Sequence, residues 1–183
     1  LSLEKFKTDR IDLYQFHNIG TLEDLKKVMA PGGGIEAFIE AREEGLIRHI
    51  GITSHNLDVI AEVLKYDIFE TVQYPYSVVE KQAEAVFGKA RELNIGVIAM
   101  KPIAGGALRN GKAALKFIME NPDVSCAIPG MDSIAQLEEN IDAVLGAPLT
   151  AAEREELLAE AGELGQAFCR RCGYCQPCPQ KIN

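Results

Sequence analysis

The sequence predicts an α/β fold, a partial (β/α)8 TIM barrel made of five βα units and followed by a cysteine-rich tail. Three observations predict it. Short, almost uniformly apolar runs alternate with amphipathic stretches along most of the chain, and strands of that kind belong to parallel sheets covered by helices. No G-x-G-x-x-G follows the first strand, so the usual mark of an open dinucleotide-binding sheet is missing. Glycines and polar residues instead sit just past several different strands, as they do where βα loops build a site at a barrel mouth.

The opening residues, LSLEKFKTDR, read as the end of a helix running into a strand, Ile11–Phe16. Because Leu1 is not methionine, something is expected to precede it. Further strands are expected at Ile47–Thr53, Thr71–Tyr74, Asn94–Met100 and Val124–Pro129. Between them, Gly34–Glu44, Asp58–Tyr66, Lys81–Leu93 and Lys112–Asn121 carry apolar residues at helical spacing, and Ile134–Leu145 follows the last strand in the same way. Val59, Ile60, Val63 and Leu64 fall on one such face, a core stripe rather than a cofactor box. Residues 1–150 read as the barrel portion, and 151–183 as a C-terminal helix with the cysteine segment.

Composition narrows the function. With 183 residues, 47% hydrophobic and 25% charged, the chain is long enough for one sizeable core. It has neither an apolar run of bilayer length nor a basic-then-apolar start, so the expected place is the cytoplasm, with no membrane partner. A net charge of −8, with Lys and Arg scattered among acids, argues against nucleic acid as a partner.

The tail is the densest chemical signal. Cys169, Cys172, Cys175 and Cys178 stand at C-x2-C-x2-C-x2-C, with Pro179 directly after the last. Thiolates spaced this closely pair poorly as disulfides but converge readily on one thiophilic centre, a [4Fe–4S] cluster or zinc. The bacterial ferredoxin run differs by one residue in its last gap. A reducing compartment suits cysteines that must stay thiolates. Cys126, in the last strand, reads as a small buried hydrophobe rather than a fifth ligand.

Strand by strand, TDRIDLYQFHN, GLIRHIGITSHN, TVQYPYS, GVIAMKPIAGGAL and CAIPGMDSIAQLEENI follow the order and intervals of strands four to eight of a known family. The chain resembles the C-terminal part of the aldo-keto reductases. With its cysteine tail it resembles the branch that carries a ferredoxin-type [4Fe–4S] segment.

The resemblance implies hydride transfer between NADP (or NAD) and a small-molecule carbonyl or alcohol, and it gives each matched residue a role. His17, at the end of its strand, corresponds to the active-site histidine that orients the substrate carbonyl, a task an imidazole performs while neutral. Thr53 and Ser54 match the pair that grips the nicotinamide carboxamide, although Ser54 replaces an amide and leaves His55 or Asn56 as substitutes. Gln73 matches the glutamine that reaches the same carboxamide.

Lys101 and the Gly105 loop match the segment that passes over the pyrophosphate, where glycine lets backbone approach an anion. Gly130, Ser133, Gln136, Glu139 and Asn140 match the turn and helix at the adenosine end. There, Gly130 and Gln136 stand where a lysine and an arginine are expected. The loss of both cations weakens the choice of NADP over NAD, which rests on the family.

The family's aspartate, proton-donating tyrosine and lysine are expected on strands before Leu1, and Tyr14, Tyr74 and Tyr76 do not replace the tyrosine. A cluster in the tail would admit an electron-transfer partner. Two other classes fit the same residues: a nicotinamide-binding regulatory module without turnover, and a zinc-stapled scaffold.

Overall fold

The computed structural model describes residues 1–165 and Pro177. The element order is α1 (Ser2–Phe6), β1 (Ile11–Phe16), α2 (Leu22–Met29), α3 (Gly34–Glu43), β2 (Ile47–Thr53), α4 (Leu57–Val63), β3 (Thr71–Pro75), α5 (Glu84–Glu92) and β4 (Gly96–Met100). A 3-10 turn at Ala104–Gly106 then leads to α6 (Gly111–Met119), β5 (Cys126–Ile128), α7 (Ile134–Leu145) and α8 (Ala151–Leu164). The strands lie in one five-stranded sheet in chain order, β1-β2-β3-β4-β5. β1 pairs with β2 and β2 with β3, both in parallel. The expected α/β alternation is therefore present.

Most boundaries follow from local chemistry. Thr21 caps α2: its hydroxyl accepts the Asp24 N–H at 3.0 Å and donates to the Asp24 carboxylate at 2.7 Å. This helix is not among those expected, although Leu22, Leu25, Val28 and Met29 recur at helical spacing and the Thr-x-x-Asp pair announces its start. β4 begins two residues later than expected because Asn94 adopts φ 57° and the Ile95 N–H returns to the Ala90 carbonyl at 2.8 Å. Those two residues close α5 rather than open the strand.

Contacts divide the chain into two units. The first holds Leu1–Tyr74, Gln82–Ile98 and Asp123–Cys126; the second holds Pro75–Lys81, Ala99–Pro122 and the described residues from Ala127 onward. In the first, Ile50, Ile52 and Val72 are completely buried, as are Val59, Ile60 and Val63 of α4, which confirms the stripe on that helix as core. In the second, Ala104, Leu108, Ala113 and Ala114 form a cluster with Val78, Leu149 and Leu157, the last from α8. Cys126 corrects one expectation: it is exposed. β5 ends the sheet, and an end strand need not bury both faces.

Candidate active site

In the first unit, the candidate residues lie in or just after β1, β2 and β3. Register aligns Gln15 with Gly51 and Gly51 with Thr71; two residues on, Thr53 aligns with Gln73. Alternation puts Thr53 and Gln73 on the face of Gly51, opposite the buried Ile50 and Ile52. His17 is the first residue past β1 and is exposed.

Two exit loops of the first unit are laced together. Asn18, with φ 55°, donates its N–H to the Thr53 hydroxyl at 2.7 Å. The Ile19 N–H reaches the Thr53 carbonyl at 2.9 Å. Thr53 is nearly buried, and a hydroxyl that accepts one bond keeps its own proton to donate. Gln73 accepts a long hydrogen bond from the Gln15 side chain at 3.4 Å. Gln15 is a neighbour that sequence reasoning passed over, because nothing local ties it to a residue on β3.

Ser54, expected beside the nicotinamide, has protein partners. It is completely buried; its hydroxyl donates to the Ile19 carbonyl at 2.6 Å and accepts the Asn56 N–H at 2.9 Å. Asn56 is likewise committed: its amide donates to the Gly20 carbonyl at 3.1 Å while its oxygen caps α4 through the Asp58 N–H at 3.0 Å. Both residues build the turn that carries Thr53. The tyrosines also have structural partners, since Tyr14 shares a hydrogen bond with Ser2 and Tyr76 accepts one from Asn121.

In the second unit, the loop after β4 is conformationally unusual. Lys101, Ala104, Gly105 and Gly106 all have positive φ, at 55°, 50°, 68° and 81°. No atom lies within 4 Å of a Cβ built on Gly106, so its backbone is open to approach. Glu160 of α8 binds the far end of this loop, and Arg109 is held by Glu160 and Glu163. Burial pushes the Glu160 carboxyl up, but hydrogen bonds from Arg109 and Asn110 outweigh it and leave the group below its ordinary range.

At the turn after β5, Ser133 caps α7 by accepting the Gln136 N–H at 3.2 Å, and the Gln136 side chain accepts the Asp132 N–H at 2.6 Å. Gly130 has open space about it; Glu139 is exposed and Asn140 half-buried. The cysteines expected to bind metal, Cys169, Cys172, Cys175 and Cys178, lie outside the described residues. Among those described, no cluster of His, Cys, Asp and Glu is arranged to hold a metal ion, and no helix is long and apolar enough to cross a membrane.

The aldo/keto reductase family profile matches residues 1–114. The chain belongs to the aldo/keto reductase family. Among its curated relatives, the uncharacterized oxidoreductase YqkF of Bacillus subtilis is 30% identical over 85% of this chain and 62% of its own length. The L-galactose dehydrogenase of Arabidopsis thaliana is 26% identical over 78% of the chain and 55% of its own length. The chain thus spans less than two thirds of the length of these relatives. Among solved structures, the aldo-keto reductase AKR11C1 from Bacillus halodurans, in its holo form, superposes with a TM-score of 0.70 at 29% identity, covering 93% of this chain and 66% of that one. The five-stranded sheet therefore corresponds to part of an aldo-keto reductase barrel.

Proposed function

We propose that this chain is the C-terminal part of an NAD(P)H-dependent aldo-keto reductase that reduces a small-molecule carbonyl. The observation that carries the reading is that His17 directly follows β1, Thr53 ends β2 and Gln73, in register with Thr53, lies within β3, in a chain of this family.

The donor set suits the cofactor's nicotinamide end. Thr53 keeps a hydroxyl proton for an acceptor, and an amide such as Gln73 both donates and accepts, the complement of a carboxamide. When bound, NAD(P)H supplies the hydride. His17 donates a hydrogen bond to the substrate carbonyl oxygen and fixes its direction. Lys101, Gly105 and the open backbone at Gly106 are assigned to the pyrophosphate. Gly130, Ser133, Gln136, Glu139 and Asn140 are assigned to the adenosine end. Between Ile128 and Leu145 there is no Lys or Arg, so a 2′-phosphate finds no cation in that segment, and NADH competes with the family's NADPH. The proton donor is assigned to the part of the family barrel that this chain does not span.

The four tail cysteines are assigned to a [4Fe–4S] cluster, with zinc as the alternative, on their spacing alone. Residues 1–150 would then form the reductase portion and 151–183 its helix and metal-binding extension.

The experiment is turnover: the intact protein is given an aldehyde series with NADPH and, separately, NADH, and loss of the reduced nicotinamide is followed. Oxidation dependent on aldehyde is the expected result. Tight dinucleotide binding without turnover of any aldehyde or ketone would replace the reductase with the regulatory module.

A further inference from the structure

We propose that Glu160 is the positioning residue that holds the loop after β4 in register for the cofactor phosphates; this rests on the assignment of that loop made above. Glu160 lies near the C-terminal end of α8, yet its carboxylate serves the residues leading into α6. One oxygen accepts the Arg109 backbone N–H at 2.7 Å and the Arg109 Nε–H at 2.9 Å. A single acid therefore takes both the backbone N–H and the side-chain Nε–H of Arg109, which defines the end of a loop more tightly than a side-chain pair alone.

The asymmetry of exposure separates this from an ordinary surface ion pair. The Glu160 side chain is only 11% exposed and the Arg109 side chain 80%. Glu163, the second partner of Arg109, is 76% exposed and 3.6 Å away, a geometry of small consequence in water. The anchor is thus the less exposed acid, and the arginine is its guest.

The loop needs such an anchor. Between β4 and Arg109, Lys101 and Ala104 adopt left-handed backbone that residues with a Cβ disfavour, and Gly105 and Gly106 continue it. Conformations of this kind persist only where the surroundings enforce them. One constraint is apolar, because Ala104 and Leu108 pack in the cluster that contains Leu157, with Ala161 against it. The other is Glu160, next to Ala161 on the same helix. Sequence separation of 51 residues between Arg109 and Glu160 keeps the pair invisible to any local pattern.

The test compares the intact wild-type protein with Glu160→Gln, Arg109→Ala and Glu163→Gln. Affinity for NADPH and for NADH is measured by calorimetric titration, beside kcat at saturating cofactor and the thermal midpoint. Glu160→Gln is expected to weaken binding of the preferred dinucleotide by about tenfold while kcat stays within about twofold. Arg109→Ala keeps the backbone N–H and weakens binding about threefold; Glu163→Gln changes nothing.

Wild-type affinity in Glu160→Gln overturns the proposal, as does a parallel fall in kcat, affinity and thermal midpoint, which marks a merely structural role. If Glu160→Gln fails to fold, unchanged affinity in Arg109→Ala overturns it instead. A wild-type protein that binds neither dinucleotide removes the cofactor reading itself. Binding by wild type and variant alike removes only the role of Glu160.

Discussion

His17 and Gly51 show how differently two residues, one just past β1 and one within β2, constrain this protein. His17 is exposed just past β1 and is not required for packing. His17→Ala is accordingly expected to lower kcat/KM of the intact protein by about 10²–10³-fold with an unchanged unfolding midpoint, read by steady-state kinetics beside a urea titration. Gly51 is the opposite case. It sits between β1 and β3, and a Cβ built there would collide with the Thr71 hydroxyl and come within 2.9 Å of the Gln15 side chain. Gly51→Ala is expected to destabilise the fold by about 1–3 kcal/mol through overpacking, seen as a lower urea midpoint at unchanged slope. The sequence shows a glycine inside a strand, but only the neighbours reveal why it is there.

Among the elements, α8 carries the clearest electrostatic design. Thr150 and Glu153 form a reciprocal capping box at its start. Glu153 also accepts from the nearly buried Lys116 of α6 at 3.1 Å, and Arg154 pairs with Glu120. The Thr150 backbone N–H, then the Lys116 and Thr150 side chains, hold the Glu153 carboxyl down from the ordinary 4.5 to about 2.

A folded-state value below the unfolded one means that protons favour the unfolded chain as pH falls. The contribution of Glu153 is complete above about 4.5 and is lost as pH falls toward about 2. Glu153→Gln is therefore expected to lower stability at neutral pH and to flatten its decline across that window, measured as the urea midpoint against pH for both proteins. The capping box was legible as Thr-x-x-Glu. The link to Lys116, 37 residues away, was not.

At the scale of the whole molecule, the chain joins a barrel portion to a cysteine segment whose chemistry remains a proposal. The intact protein, purified without oxygen, is expected to contain iron and acid-labile sulfide and to absorb in the visible, with Cys172→Ser losing most of both. Zinc without sulfide would select the scaffold reading of the tail. By itself the sequence determined the alternation of strands and helices, most of their limits, the family and the residues that stand at strand ends. These are properties of local pattern, since burial on one face recurs at a fixed spacing and caps act within one turn.

Tertiary structure alone decided which polar groups are spent on the protein itself. Ser54 and Asn56 bond to the exit loop of β1, Cys126 meets solvent at the end of the sheet, and Glu160 gathers the end of the loop after β4. Each of these depends on a partner brought near by folding, and a buried hydroxyl or carboxylate takes whichever donor or acceptor the fold places beside it.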